Sequence, residues 1–201
     1  MQTPSPIRQV IFDLGGVVFR RDPAKCTPDF IDFFAFVRFP KMPRFWEEYD
    51  RGTLSLEEVI ELLAREKGVS LEQCRDYVRE AILKQEAIAP TEALIRDLKA
   101  AGYRLYVLSN MSLEFIDFLR QQPVYQYFDG EVISCEELCV KPEPRIYEIL
   151  KERYSLEGQQ SLFIDDRPEN IAAAEKEGIR GFLFERDNPQ KACDELRKML
   201  L

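Results

Sequence analysis

From Pro90 onward the sequence alternates between helix-periodic stretches and short apolar runs, and this rhythm constrains the fold more than any other feature. Helical patterning over 91–101 stops at Gly102, and residues 103–108 read as a strand running into Ser109-Asn110. A helix is expected from Ser112 to about Gln121, then a strand over 131–134 ahead of Lys141-Pro142 and a helix over 144–154. Residues 161–164 form a further strand that ends at Asp165-Asp166. Pro168 opens the next helix and Gly178 closes it, as expected from the preference for proline at the first helical position and glycine just past the last. A strand over 180–184 and a helix from Pro189 finish the chain. Strands separated by helices pair in parallel, and their crossovers cover both faces of the sheet, so the expected class is α/β.

A first strand lies at 7–13, where the apolar run Val10-Ile11-Phe12 stops at Asp13 and two glycines, Gly15 and Gly16, follow. Residues 22–89 differ, with helical periodicity and little strand signal. Pro23, Pro28, Pro40 and Pro43 break up the early part, and Phe30, Phe33, Phe34, Phe36 and Phe39 are dense enough to make a small core. Ser55-Leu56-Glu57-Glu58 is a capping-box pattern. It opens a helix with Leu56, Val59, Ile60 and Leu63 inward and Gly68 at its end. Ser70 opens another, with Leu71, Cys74, Val78 and Ala81 or Ile82 inward. The expectation is an all-helical cap over 22–89, inserted after the first strand into a catalytic core of 1–21 and 90–201.

Composition then removes whole classes of chemistry. With 36 acidic against 28 basic residues the net charge is -8, which argues against non-specific binding to nucleic acid or an anionic membrane. An anionic substrate must be held by local cations, backbone amides or a metal ion. The chain has no histidine, which excludes imidazole acid-base chemistry, Ser-His and Cys-His pairs and histidine metal ligands. The five cysteines (Cys26, Cys74, Cys135, Cys139 and Cys193) are scattered without Cys-x-x-Cys spacing, so reduced thiols in a cytoplasmic protein are expected. Cys135 and Cys139 lack the spacing of a zinc site. The first residues show no basic stretch leading into an apolar core, and no apolar run approaches membrane-spanning length, so neither a signal peptide nor a membrane span is expected.

What remains is concentrated at the strand ends, which deliver Asp13, Ser109-Asn110, Lys141 through its loop, and Asp165-Asp166. In a parallel sheet these ends share one edge, where open α/β sheets bind ligands. Carboxylates gathered there repel unless a cation binds or one takes a proton. A ligand set made only of oxygen favours Mg²⁺. Ser109 and the amides after it suit phosphate oxygens. Lys141 is a point cation able to offset transition-state charge, and Asp13 is a carboxylate able to attack phosphorus covalently. Singly, each has a bland explanation: a solvated loop lysine, a strand-to-helix cap, a capping Asp166. Their joint placement at successive strand ends favours a shared site.

The motifs resemble those of the haloacid dehalogenase (HAD) superfamily over nearly the whole chain. The first resembles Phe12-Asp13-Leu14-Gly15-Gly16-Val17-Val18, and the others Leu108-Ser109-Asn110, Lys141-Pro142 and Phe163-Ile164-Asp165-Asp166. The Asp-Leu-Gly form, with Asp-Arg-Gly-Thr-Leu-Ser at 50–55, is similar to the α-D-glucose-1-phosphate phosphatase branch, related to the phosphatase domain of soluble epoxide hydrolases. The resemblance implies a Rossmann-like core with a helical cap and a Mg²⁺-dependent phosphatase acting on a small phosphorylated metabolite, sugar phosphates favoured. By the same resemblance Asp13 is the nucleophile and a metal ligand, and the Gly15 carbonyl, Asp165 and Asp166 complete the metal site. Ser109 and Asn110 serve phosphate, Lys141 stabilises the transferring phosphoryl group, and Asn170 orients the site. A cytoplasmic monomer or homodimer is expected, with an exposed part of the phenylalanine-rich cap as the candidate dimer surface.

One position departs from the superfamily pattern: Gly15 stands where a second Asp usually acts as general acid and base. The substrate then needs little leaving-group protonation, or another acid, Asp22 or one from the cap, substitutes. Gly15 also keeps two alternatives open. One is a 2-haloacid dehalogenase-type hydrolase; the other is a weakly active or inactive phosphate- or partner-binding protein. A signalling receiver domain is disfavoured because its acid pair sits on the first strand. Trp46, Glu47, Tyr49 and Arg51 are candidate substrate contacts, and Arg20, Arg21 and Arg167 candidate anion attractors.

Overall fold

The computed structural model describes residues 6–38 and 42–201, so Phe39 and Pro40 lie outside the described residues. In chain order the elements are β1 (Gln9–Phe12), β2 (Phe19–Arg21), α1 (Pro28–Phe33), α2 (Arg44–Arg51), α3 (Leu56–Lys67) and α4 (Leu71–Leu83). Then come β3 (Gln85–Ala87), α5 (Ala89–Ala100), β4 (Arg104–Ser109), α6 (Leu113–Leu119), β5 (Gly130–Ile133) and α7 (Ser134–Glu137). The chain closes with α8 (Pro144–Tyr154), β6 (Ser161–Asp165), α9 (Pro168–Lys176), β7 (Arg180–Leu183) and α10 (Pro189–Leu200).

The sheet has the order β5-β4-β1-β6-β7, and every pairing in it is parallel. Buried strands of a parallel sheet face helices on both sides, and β1 shows it at period two. Val10 and Phe12 pack with Leu105, Val107, Leu162 and Ile164 beneath α5, α6 and α10. Ile11, between them in sequence, joins Tyr106, Leu108 and Phe163 against α8 and α9. The parallel sheet with helices on both faces is the architecture expected from the alternation after Pro90.

The helical layer after β1 has its own core. Phe30, Phe33, Phe34 and Phe36 pack with Trp46, Tyr49, Val59, Ile60, Leu63, Cys74 and Val78, joined by Phe115 of α6. The rings meet largely edge to face, as Phe33 and Phe34 do with centroids 4.9 Å apart. Those four phenylalanines are therefore interior residues rather than an exposed association surface. Ser55 makes its capping box on α3, and Gly68 ends that helix in the left-handed conformation. Leu71 departs from expectation: it lies 45% exposed, because the first turn of α4 runs past the edge of the packed face while Cys74, Val78 and Ala81 stay buried.

A second sheet was not legible in advance. β2 and β3 pair antiparallel, Phe19 opposite Ala87 and Arg21 opposite Gln85, where the chain enters and leaves the helical layer. Strands of three residues carry no usable periodicity, and this pair forms because the fold brings the two ends together. Among the described residues no helix is long and apolar enough to cross a membrane.

Candidate active site

β1 lies between β4 and β6, so Asp13, Ser109 and Asp165 finish three adjacent strands. Neighbouring strands are about 4.8 Å apart, which places the three side chains within reach of one another. The Asp13 amide donates to the Ile164 carbonyl at 2.9 Å, extending the ladder one residue past β1. Gly16 follows at φ 83°, and a Cβ there would meet Asp166 Oδ2 at 2.7 Å. Glycine at 16 therefore permits both the turn and the approach of Asp166.

Lys141 ties the site together. Its Nζ donates to Asp13 Oδ1 at 2.8 Å, Asp165 Oδ2 at 2.6 Å and the Leu108 carbonyl at 2.9 Å. Ser109 Oγ donates to the same Asp13 oxygen at 3.0 Å. Asn110 holds the Lys141 backbone from both sides: its Nδ2 donates to the Lys141 carbonyl at 2.9 Å, and its Oδ1 accepts from the Lys141 amide at 2.7 Å. Asp165, fully buried, accepts from Asn170 Nδ2 on both oxygens at 3.1 and 3.0 Å, and from the Arg167 amide at 2.8 Å. Asn170 is held in turn by Tyr147, whose hydroxyl donates to its carbonyl at 3.0 Å. Asp166 pairs with Arg186 at 3.1 Å.

Burial dominates the electrostatics. It pushes the Asp13 carboxyl up to about 6; Lys141 opposes the rise, and Asp165 and Asp166 reinforce it. Asp166 is raised by burial and by Asp165, against Arg186, Arg167 and Lys141. Burial pulls Lys141 down, but Asp13 and Asp165 outweigh it and the net direction is up. One oxygen from each of Asp13, Asp165 and Asp166 lies within 4.8 Å of the others. Carboxylates gathered so closely, offering oxygen donors alone, fit a hard divalent cation such as Mg²⁺. Gly15 lines the same cavity.

The cavity above these residues has a volume of about 330 Å³, the scale of a small-molecule site. Asp13, Gly15, Asn110, Lys141, Asp166 and Asn170 line its floor. Trp46 and Glu47 reach it from the helical layer, and Arg20, Arg21 and Arg167 border it. Two other candidates do not reach it and instead join the helical layer to the sheet. Tyr49 donates its hydroxyl to Glu114 at 2.7 Å, and Arg51 makes two bonds to Glu143 at 2.9 and 2.7 Å. Asp22 is also elsewhere, accepting from the Ala24 amide at 2.9 Å as a local helix cap, so it is not the substitute acid. Asp50 does line the cavity, as does its helix neighbour Glu47, and Asp50 is the one of the two that is buried. Its position in the Asp-Arg-Gly turn was visible in sequence; its approach to the sheet edge was not.

A family model for haloacid dehalogenase-like hydrolases matches residues 7–178. A sesquiterpene phosphatase of Aspergillus oryzae is 25% identical over 194 residues, covering 96% of each chain. An (S)-2-haloacid dehalogenase of Pseudomonas putida is 28% identical over 142 residues, covering 70% of this chain and 62% of its own length. Among solved structures, a HAD family enzyme of Bacteroides thetaiotaomicron in complex with magnesium and inorganic phosphate superposes with a TM-score of 0.70. It is 22% identical, with 90% of this chain and 95% of that one covered, and shares the fold.

Proposed function

The chain belongs to the haloacid dehalogenase-like hydrolase family, and from that premise we propose that it is a Mg²⁺-dependent phosphatase of small phosphomonoesters, working through an aspartyl-phosphate on Asp13. One observation carries the reading. Asp13 sits at the centre of the sheet edge with Oδ1 fixed by Ser109 and Lys141, while Oδ2 accepts no hydrogen bond from the described residues. A carboxylate held on one oxygen and free on the other is a positioned nucleophile. Lys141 stays charged between two carboxylates and offsets charge on the transferring phosphoryl group. Ser109 and Asn110 hydrogen-bond phosphate oxygens, and Asn170 fixes Asp165. Mg²⁺ would be held by Asp13, Asp166 and the Gly15 carbonyl, with Asp165 directly or through water, and would supply charge neutralisation at the phosphate. Residues 22–89 act as the cap that chooses the substrate.

The phosphatase named among the relatives, and the magnesium and phosphate in the Bacteroides enzyme, support this reading. The carboxylate cluster supports it over a dehalogenase, which needs no cation to offset it. The cavity offers polar groups (Arg20, Gln85, Glu169) and apolar ones (Trp46, Met111, Phe115), so the substrate panel must span both. Sugar phosphates come first, with apolar alkyl phosphates beside them. Phosphate release that depends on Mg²⁺, stops with a chelator and is lost in Asp13→Asn is the expected result. Halide release from 2-haloacids, unaffected by chelator, would replace this reading with the dehalogenase one.

A further inference from the structure

We propose that Asp50 is the general acid and base of the reaction, supplying from the helical layer what Gly15 does not supply from the loop. The assignment rests on the phosphatase reading above.

Asp50 lines the cavity that holds Asp13, yet is only 7% exposed. Among the described residues it forms no ion pair, so a buried carboxyl faces the site without a direct cation partner. Its placement is built in, because four consecutive residues at the end of α2 dock on the sheet unit. Tyr49 donates to Glu114, the Asp50 carbonyl accepts from Ser134 Oγ, and Arg51 grips Glu143. Gly52, at φ 83°, lies so close to α7 that a Cβ would stand 2.4 Å from the Cys135 carbonyl oxygen. Ser134 is itself anchored, accepting from the Met111 amide at 2.9 Å.

A charged carboxylate in such a place is costly, so the neutral form is favoured. Burial is the largest cause and holds Asp50 well above the ordinary carboxylate range. Arg167 and a backbone hydrogen bond from Ser112 oppose it, while Asp13 and Glu47 add to it. In the first half-reaction an Asp13 oxygen bonds to phosphorus. The bond from phosphorus to the leaving oxygen breaks, its electron pair stays on that oxygen, and the Asp50 proton goes to it. In the second, water attacks phosphorus, its proton passes to the Asp50 carboxylate, the bond from phosphorus to Asp13 breaks, and phosphate leaves. With this donor the substrate need not carry an easily expelled leaving group. Gly15 leaves room for a test: a Cβ there meets nothing within 4 Å, and its φ is not left-handed.

The experiment compares kcat/KM over aryl and alkyl phosphomonoesters of graded leaving-group basicity, for wild type, Asp50→Asn and the double variant Asp50→Asn with Gly15→Asp. Asp50→Asn should lose about 10²–10⁴-fold on alkyl phosphates and no more than about ten-fold on p-nitrophenyl phosphate. It should also lose the basic limb of the pH profile. Gly15→Asp should restore most of the alkyl activity. An active wild type with equal loss across the series, or an unchanged basic limb, overturns the assignment and leaves the phosphatase reading standing. A wild type inactive on every ester overturns both. Asn matches the neutral carboxyl in shape; if that variant fails to fold, Asp50→Ser carries the same comparison.

Discussion

At Lys141 a single ammonium holds two buried carboxylates, and each side of that arrangement has its own consequence. Removing the cation in Lys141→Met leaves Asp13 and Asp165 facing each other uncompensated, which should cost about 3–5 kcal/mol in denaturant unfolding of the metal-free protein. Turnover should fall with it. Removing the carboxylate acts in the opposite sense on stability. Because burial raises Asp13, its ionised form is a destabilising element at neutral pH. Asp13→Asn should abolish turnover, to below about one-thousandth of wild type, while the thermal midpoint of the metal-free protein stays at or above that of wild type. A chain that lost both together would place Asp13 in the scaffold rather than in the chemistry.

Among the elements, the end of α2 decides how the helical layer meets the sheet. Two neighbouring residues make contacts of different kinds there. Arg51 reaches Glu143 through a pair that is partly solvated, its side chains 21% and 41% exposed, so Arg51→Ala should cost at most about 1 kcal/mol. Gly52 combines a left-handed backbone with a backbone-to-backbone approach that cannot yield, so Gly52→Ala should cost more, about 1–3 kcal/mol in urea unfolding. It should also reduce turnover, because it shifts Asp50 from the cavity. The capping box and glycine stop of α3 and the Ser70 cap of α4 are local devices and were readable as such, whereas nothing in the sequence of α2 shows what its last turn rests against.

For the molecule as a whole, the raised site carboxyls set an unusual pH response. A carboxyl whose native affinity for protons exceeds its unfolded one contributes stability below the unfolded value and loses it as pH rises through the native one. For Asp13 that window runs from 3.8 to about 6. Asp166 and Asp50 shift in the same direction. Metal-free wild type should therefore lose stability relative to Asp13→Asn between pH 4 and pH 6, measured by denaturant titration. A bound cation takes over where the protons leave, so Mg²⁺ should stabilise the protein more at pH 7.5 than at pH 5. At a hundredfold excess over its dissociation constant the gain is about 2.7 kcal/mol. The sequence alone determined the parallel sheet, the strand ends and the residues on them, because apolar runs, glycine and proline stops and capping boxes act within a few positions. The tertiary structure decided what depends on distant surfaces meeting: the β2–β3 ribbon, the exposure of Leu71, and the diversion of Asp22, Tyr49 and Arg51 to structural tasks. It also decided that Asp50 would face Asp13. That placement is enforced by Ser134, 84 positions away in the chain, and a contact of that range leaves no periodic trace in the sequence.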